Sequence, residues 1–305
     1  MVVLFTSVSC ATTHPPPPVI ESIQRLPLQT IDVDGDEIAY LETGTGPPLI
    51  LLHGFGGAIW NWEHQQLTLS SQYRVITLDL LGSGMSAKPH IPYSPSRLVT
   101  FFLHFMDALG IDKATLIGNS MGAGLAMATA LTVPDRVTAL VLISGFPQSL
   151  EDTIHSPLYK NFLTYRPPLW MAKLGSWFSG RATTRRVLQE ILYDHSLLTS
   201  VIIERSYQNR STQAILPSLY SLMEHMDEWE QQYGKRIHYI RHPTLLLWGE
   251  EDRVFPAKVG HNLQKLLPQA QWHLIPKGGH FLQWEKPKQI NLLIQEFLAN
   301  LPPDP

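Results

Sequence analysis

The chain has 305 residues, 44% of them hydrophobic and 16% charged, which is the profile of a packed globular protein. A formal net charge of −3 gives no sign of a nucleic-acid partner, and a single cysteine, Cys10, excludes an internal disulfide. No apolar run approaches the ~18 residues a membrane-spanning helix needs, so no transmembrane span is expected.

Residues 1–25 read as a flexible N-terminal segment. MVVLFTSVSC is apolar and carries no basic residue before its apolar stretch, and ATTHPPPP follows as a proline-stiffened tail. The segment loosely resembles the end of a bacterial lipoprotein signal, with Cys10 as the lipidated residue. Ser7 stands where leucine is usual. A cytoplasmic location is therefore the first reading, and a lipid-anchored or exported one the alternative.

LPLQTIDVDGDEIAYLE holds two alternating runs around Asp34-Gly35, the signature of a hairpin. LILLH (49–53) is a continuous apolar run closed by HGFGG, as in a buried parallel strand that ends in a tight loop. NWEHQQLTLS fits a helix, and YRVITLDL (73–80) a strand closed by LGSG. SRLVTFFLHFMDALG (96–110) repeats apolar residues at helical spacing and stops at a glycine. ATLIGNS (114–120) reads as a strand, MGAGLAMATALTV as a helix ended by Pro134, and RVTALVLISGF (136–146) as a strand. From Pro147 to about His238 the pattern is helical and aromatic, with Tyr165, Trp170, Trp177, Phe178, Tyr193, Tyr220 and Trp229. HPTLLLWGEED (242–252) and AQWHLIPKGGH (270–280) resume the strands, and KPKQINLLIQEFLANL closes with a helix. Alternating strands and helices predict a mostly parallel α/β sheet with helices on both faces. Residues 26–146 and 239–305 form its core and 147–238 a helical insertion.

Gly118-Asn119-Ser120-Met121-Gly122 spells G-x-S-x-G between a strand and a helix. In that context the serine occupies a sharp turn that exposes its hydroxyl, and glycines two residues away let the backbones cross. A serine hydroxyl is a weak nucleophile and needs a base. His280 supplies one from the glycine-rich loop after the last strand. A base needs an orienting acid, for which Asp252 at the end of WGEED is the candidate, with Glu250 and Glu251 as neighbours. All three residues end strands, the edge where open α/β sheets bind ligands. An oxyanion would need two backbone N–H donors. The amide of Met121 is one, and that of Phe55 in HGFGG is the other.

In these motifs the chain resembles the α/β-hydrolase superfamily, with HGFGG, DLLGSGMS, GNSMG, PDRV, WGEED and GGH in the family's order. The resemblance runs from about residue 28 to about 300. It implies an eight-stranded sheet with a helical cap inserted after strand 6, a Ser120–Asp252–His280 triad and a structural role for Asp79. A serine nucleophile disfavours the dehalogenase and epoxide hydrolase branches, which use a carboxylate.

GNSMG and GGHFLQWE are also similar to the C–C bond hydrolases of meta-cleavage products. On that resemblance Asn61, Asn119 and Phe281 become substrate contacts. The sequence departs from it at Phe281, where that subfamily has tryptophan, in a shorter oxyanion loop, and in a cap arginine that Arg166, Arg181, Arg185 and Arg210 leave unassigned. The expected activity is hydrolysis of a small or medium apolar carboxylic ester. C–C hydrolysis is the alternative, and a ligand-binding or near-inactive homologue the alternative of another class. No cofactor or metal is implied, since HExxH, CxxC and a phosphate loop are absent from the sequence.

Overall fold

The computed structural model describes residues 23, 25–145, 156–157, 160–161, 167–211 and 215–302, less the side chains of 176–179 and 211. Nearly all of the N-terminal segment, with Cys10, lies outside the described residues, as do Tyr165, Arg166 and the side chains of Trp177 and Phe178.

Eight strands form one sheet: β1 Gln29–Val33, β2 Asp36–Thr43, β3 Pro48–Leu52, β4 Arg74–Leu78, β5 Ala114–Asn119, β6 Val137–Ile143, β7 Thr244–Gly249 and β8 Gln271–Ile275. Their order is β1-β2-β4-β3-β5-β6-β7-β8. β2 is antiparallel to both its neighbours, and every other pair is parallel. The hairpin forms as expected, because Asp34 and Gly35 both take positive φ, 57° and 90°, as a two-residue turn of this hand requires.

The sheet is buried on both faces. In β3, Leu49 and Leu51 join one hydrophobic cluster and Ile50 and Leu52 the other; in β7, Leu245 and Leu247 divide from Leu246 and Trp248 in the same way. This is the period-2 alternation of a strand, with apolar residues at both phases. Helices α1 (Glu63–Leu69) and α10 (Pro287–Ala299) cover one face through Leu69, Ile290, Ile294 and Phe297. Helices α2 (Pro95–Ala108), α3 (Met121–Thr132) and α8 (Ala257–Leu266) cover the other through Phe102, Phe105, Leu125, Val259 and Leu263. Small residues fill α3 (MGAGLAMATALT), and ten of its twelve are buried.

Between β6 and β7 the described elements are all helices, among them α4 Leu169–Ile191, α5 Ser200–Ser211, α6 Ile215–Glu224 and α7 Met226–Gln232. Leu188, Ile191, Ile202, Ile203, Leu222 and Trp229 join the cluster that also holds β3 and α3, so this insertion packs on the sheet's own core. The short α9 (Leu282–Glu285) follows the last strand's loop.

Candidate active site

Ser120 sits between β5 and α3 with φ 54° and ψ −118°. A non-glycine residue with φ of this sign is strained and persists only where its surroundings over-determine it. Two glycines do so. A Cβ on Gly122 would overlap the carbonyl of Leu52, and one on Gly118 would overlap the backbone of Gly122 and Ala123. The crossing of β5 and α3 against β3 thus has no room for side chains at either position. Met121 is the first residue of α3, and the first amides of a helix have no intrahelical acceptor. They also carry the positive end of the helix dipole.

The loop after β3 comes up against this turn. A Cβ on Gly54 would lie 3.1 Å from that of Ser120. His53 is fully buried beneath the loop, with Nδ1 2.8 Å from the carbonyl of Gly54, and Nε2 accepts from the amide of Leu80 at 3.0 Å. An acceptor at Nε2 fixes the neutral ring with its proton on Nδ1. Burial pushes the pKa of His53 down, against the opposing pull of Asp79. Asp79 is itself buried and accepts from the amides of Ile59 and Met85, at 2.7 Å each. It therefore holds two loops together, the structural role its motif implies. From the insertion, Asn209 donates to the carbonyls of Gly56 and Gly57 at 3.1 and 3.2 Å, and Arg210 to Gly56 at 3.3 Å.

His280 and Asp252 meet at 2.8 Å between Nδ1 and Oδ2, and both are buried. The other carboxylate oxygen of Asp252 accepts from the amides of Val254 and Phe255 at 2.9 and 2.8 Å. Glu251 instead accepts from Gly278, and Glu250 is exposed. Of the three acids, Asp252 is the one on the histidine.

The three expected substrate contacts, Asn119, Asn61 and Phe281, each have partners within the protein. Asn119 is 4% exposed, and its amide nitrogen donates to the carbonyls of Ile143 and His280, at 3.1 Å each. It ties the residue before Ser120 to the main chain of His280. Asn61 is buried and accepts from the amide of Ala58 at 3.1 Å, which closes the loop's exit turn. Phe281 is buried edge-on to Trp60, with centroids 5.9 Å apart, and stacked on Trp284 at 6.0 Å.

Two features were not found in the sequence. The first is a buried ion pair between the insertion and the core. Arg205 on α5 reaches Glu63 at 2.7 Å, with 3% and 0% of their side chains exposed. Trp284 donates to the same carboxylate, and Arg205 lies over the ring of Trp60 at 5.0 Å. Among the described residues of the insertion the buried arginine is Arg205, which the four sequence candidates omit. Arg181 pairs with Glu204 at a more exposed position. The second is Glu285, whose carboxylate accepts from the amides of Asp194 and Gly279 at 2.6 and 2.7 Å. Burial pushes its pKa up, while those amides, that of Tyr193 and Lys286 pull it back. Arg205 and Asp194 are distant in sequence from Glu63 and Glu285 respectively, so only WEKP directly after the histidine loop could have drawn attention to Glu285.

A family model described as the alpha/beta hydrolase fold matches residues 47–287. A 2-hydroxy-6-oxononadienedioate/2-hydroxy-6-oxononatrienedioate hydrolase of Burkholderia vietnamiensis is 32% identical over 277 residues, 87% of this chain and 92% of that one. A meta-cleavage product hydrolase from Pseudomonas fluorescens IP01 superposes with a TM-score of 0.76 at 29% identity, over 89% of this chain and 97% of that one. A bacterial membrane phospholipase A superposes at 0.77 with 26% identity, over 90% and 86%. With the sheet order and the Ser120 turn already in place, these matches make the chain a member of the alpha/beta hydrolase fold family.

Proposed function

We propose that the chain is a serine hydrolase that cleaves a carboxylic ester of an uncharged, apolar acyl group. The observation that carries the reading is the buried Asp252–His280 bond, tied through Asn119 to the strained turn that bears Ser120. In this mechanism Ser120 Oγ attacks the ester carbonyl and His280 takes its proton. Asp252 holds the ring by Nδ1–H. The oxyanion is met by the amides of Phe55 and Met121. The proton passes from His280 to the departing alcohol, and water, deprotonated in turn by His280, releases the acid and restores Ser120.

Support for an uncharged substrate comes from Glu63, which neutralises Arg205, and from the aromatic cluster of Trp60 with Phe281 and Trp284, which follow His280 in sequence. A dienoate carboxylate would need a cation. The second reading is hydrolysis of a C–C bond in a meta-cleavage product, favoured by the two named relatives of that activity and by Arg205 Nη2, which has no partner among the described residues. A panel of p-nitrophenyl esters of rising acyl length, with one 2-hydroxy-6-oxo dienoate, separates the two. The ester reading expects the higher kcat/KM on neutral esters, with all turnover lost in Ser120→Ala. A higher kcat/KM on the dienoate would replace it with the second reading.

A further inference from the structure

The backbone on either side of His280 is held from the insertion. The carbonyl of Ile191, at the end of α4, accepts from the amides of His280 at 2.8 Å and Phe281 at 3.2 Å. A Cβ on Gly279 would come within 2.6 Å of that carbonyl and 2.8 Å of the amide nitrogen of Tyr193. The histidine loop is therefore pressed directly onto residues 191–193. Glu285 closes the arrangement from the other side. One of its oxygens binds the amide of Asp194 and the other that of Gly279.

A buried carboxylate is costly unless it is paired or well hydrogen-bonded. Glu285 is 7% exposed and makes no salt bridge among the described residues. Packing alone would be better served by a neutral side chain. Both of its bonds, however, face N–H donors at the short distances of charge-assisted hydrogen bonds. Glutamine could satisfy only one of them, because its amide nitrogen would point at the second donor. The two donors belong to the two segments whose alignment fixes the main chain of His280.

We infer that Glu285 is a positioning residue for catalysis: it clasps the end of α4 to the loop of His280 and so sets where the imidazole stands relative to Ser120. The inference rests on the proposed triad. It adds that the insertion, besides covering the site, fixes the base.

The test is Glu285→Gln, assayed on a neutral p-nitrophenyl ester beside Ser120→Ala. The expected result is a kcat lower by about 10- to 100-fold, the scale of a small misplacement of a reacting group, with KM within about twofold. The far-downfield proton resonance of the His280–Asp252 bond should shift or broaden. Should Glu285→Gln fail to fold, Asp194→Pro serves. It deletes one donor at a residue whose φ of −85° is near that of proline, and the same split is expected relative to Asp194→Ala, which loses only the carboxylate that accepts from Ser196. A folded variant with kcat and the downfield resonance unchanged, or with the loss in KM alone, overturns the inference. Activity surviving in Ser120→Ala would instead overturn the triad, so the two failures are distinct.

Discussion

Asn119 donates its side-chain amide to the main-chain carbonyl of His280 at 3.1 Å, across 161 positions of sequence. The residue beside the candidate nucleophile thereby holds the candidate base. Asn119→Asp would turn that donor into an acceptor facing two carbonyls, those of Ile143 and His280. The expected outcome is a loss of about 100-fold in kcat with little change in KM. A rise in KM at constant kcat would instead make Asn119 a substrate contact.

Asp252 keeps its place by accepting from Val254 and Phe255 through one oxygen. Asp252→Asn retains that oxygen and presents an N–H to Nδ1 of His280, which favours the wrong tautomer. A fall in kcat of about 10⁴ is expected, with the fold intact. Glu250→Gln should leave kcat near that of wild type. Steady-state kinetics on both variants checks the assignment, and a greater loss from Glu250→Gln would move the role to the neighbouring acid.

One part of the pH dependence of stability follows from His53. Its pKa in the fold lies below the ordinary 6.5 because burial disfavours the charged ring. Below about 6.5 the unfolded chain binds a proton that the folded protein refuses. Stability from this group is thus complete above that pH and is lost as pH falls towards the depressed value. Urea midpoints at about pH 7.5 and about pH 5.5 should differ more in wild type than in His53→Gln. An equal difference in the two would rule out this source.

Glu63 and Arg205 join α1 to α5 as a buried pair. Removing one partner strands the other's charge, so Arg205→Met should destabilise by about 3 kcal/mol. Glu63→Gln with Arg205→Met should recover a large part of that loss. Denaturant unfolding of the three proteins checks this, and additive losses in the double variant would contradict it.

Most of the sheet and the pairing of Asp252 with His280 were legible in the sequence because their signals are local. The Asp34-Gly35 turn, the apolar runs ending at His53, Asn119 and Gly249, and the glycines around Ser120 each declare themselves within a few residues. The bonds of Asn119 were not legible because both its partners are remote: Ile143 lies on the neighbouring strand and His280 in the last loop. Arg205 and Glu63 are 142 positions apart, and each alone reads as a surface charge. Aromatic content told little about the insertion, where Trp229 is buried beside Tyr233 while Trp170 is 67% exposed.

The central claim is that Ser120 is a nucleophile activated by His280. The most direct measurement is labelling with a fluorophosphonate followed by peptide mass spectrometry. A single adduct on Ser120 is expected, absent in Ser120→Ala and formed far more slowly in His280→Ala. An adduct on any other residue, or undiminished labelling in Ser120→Ala, would contradict it.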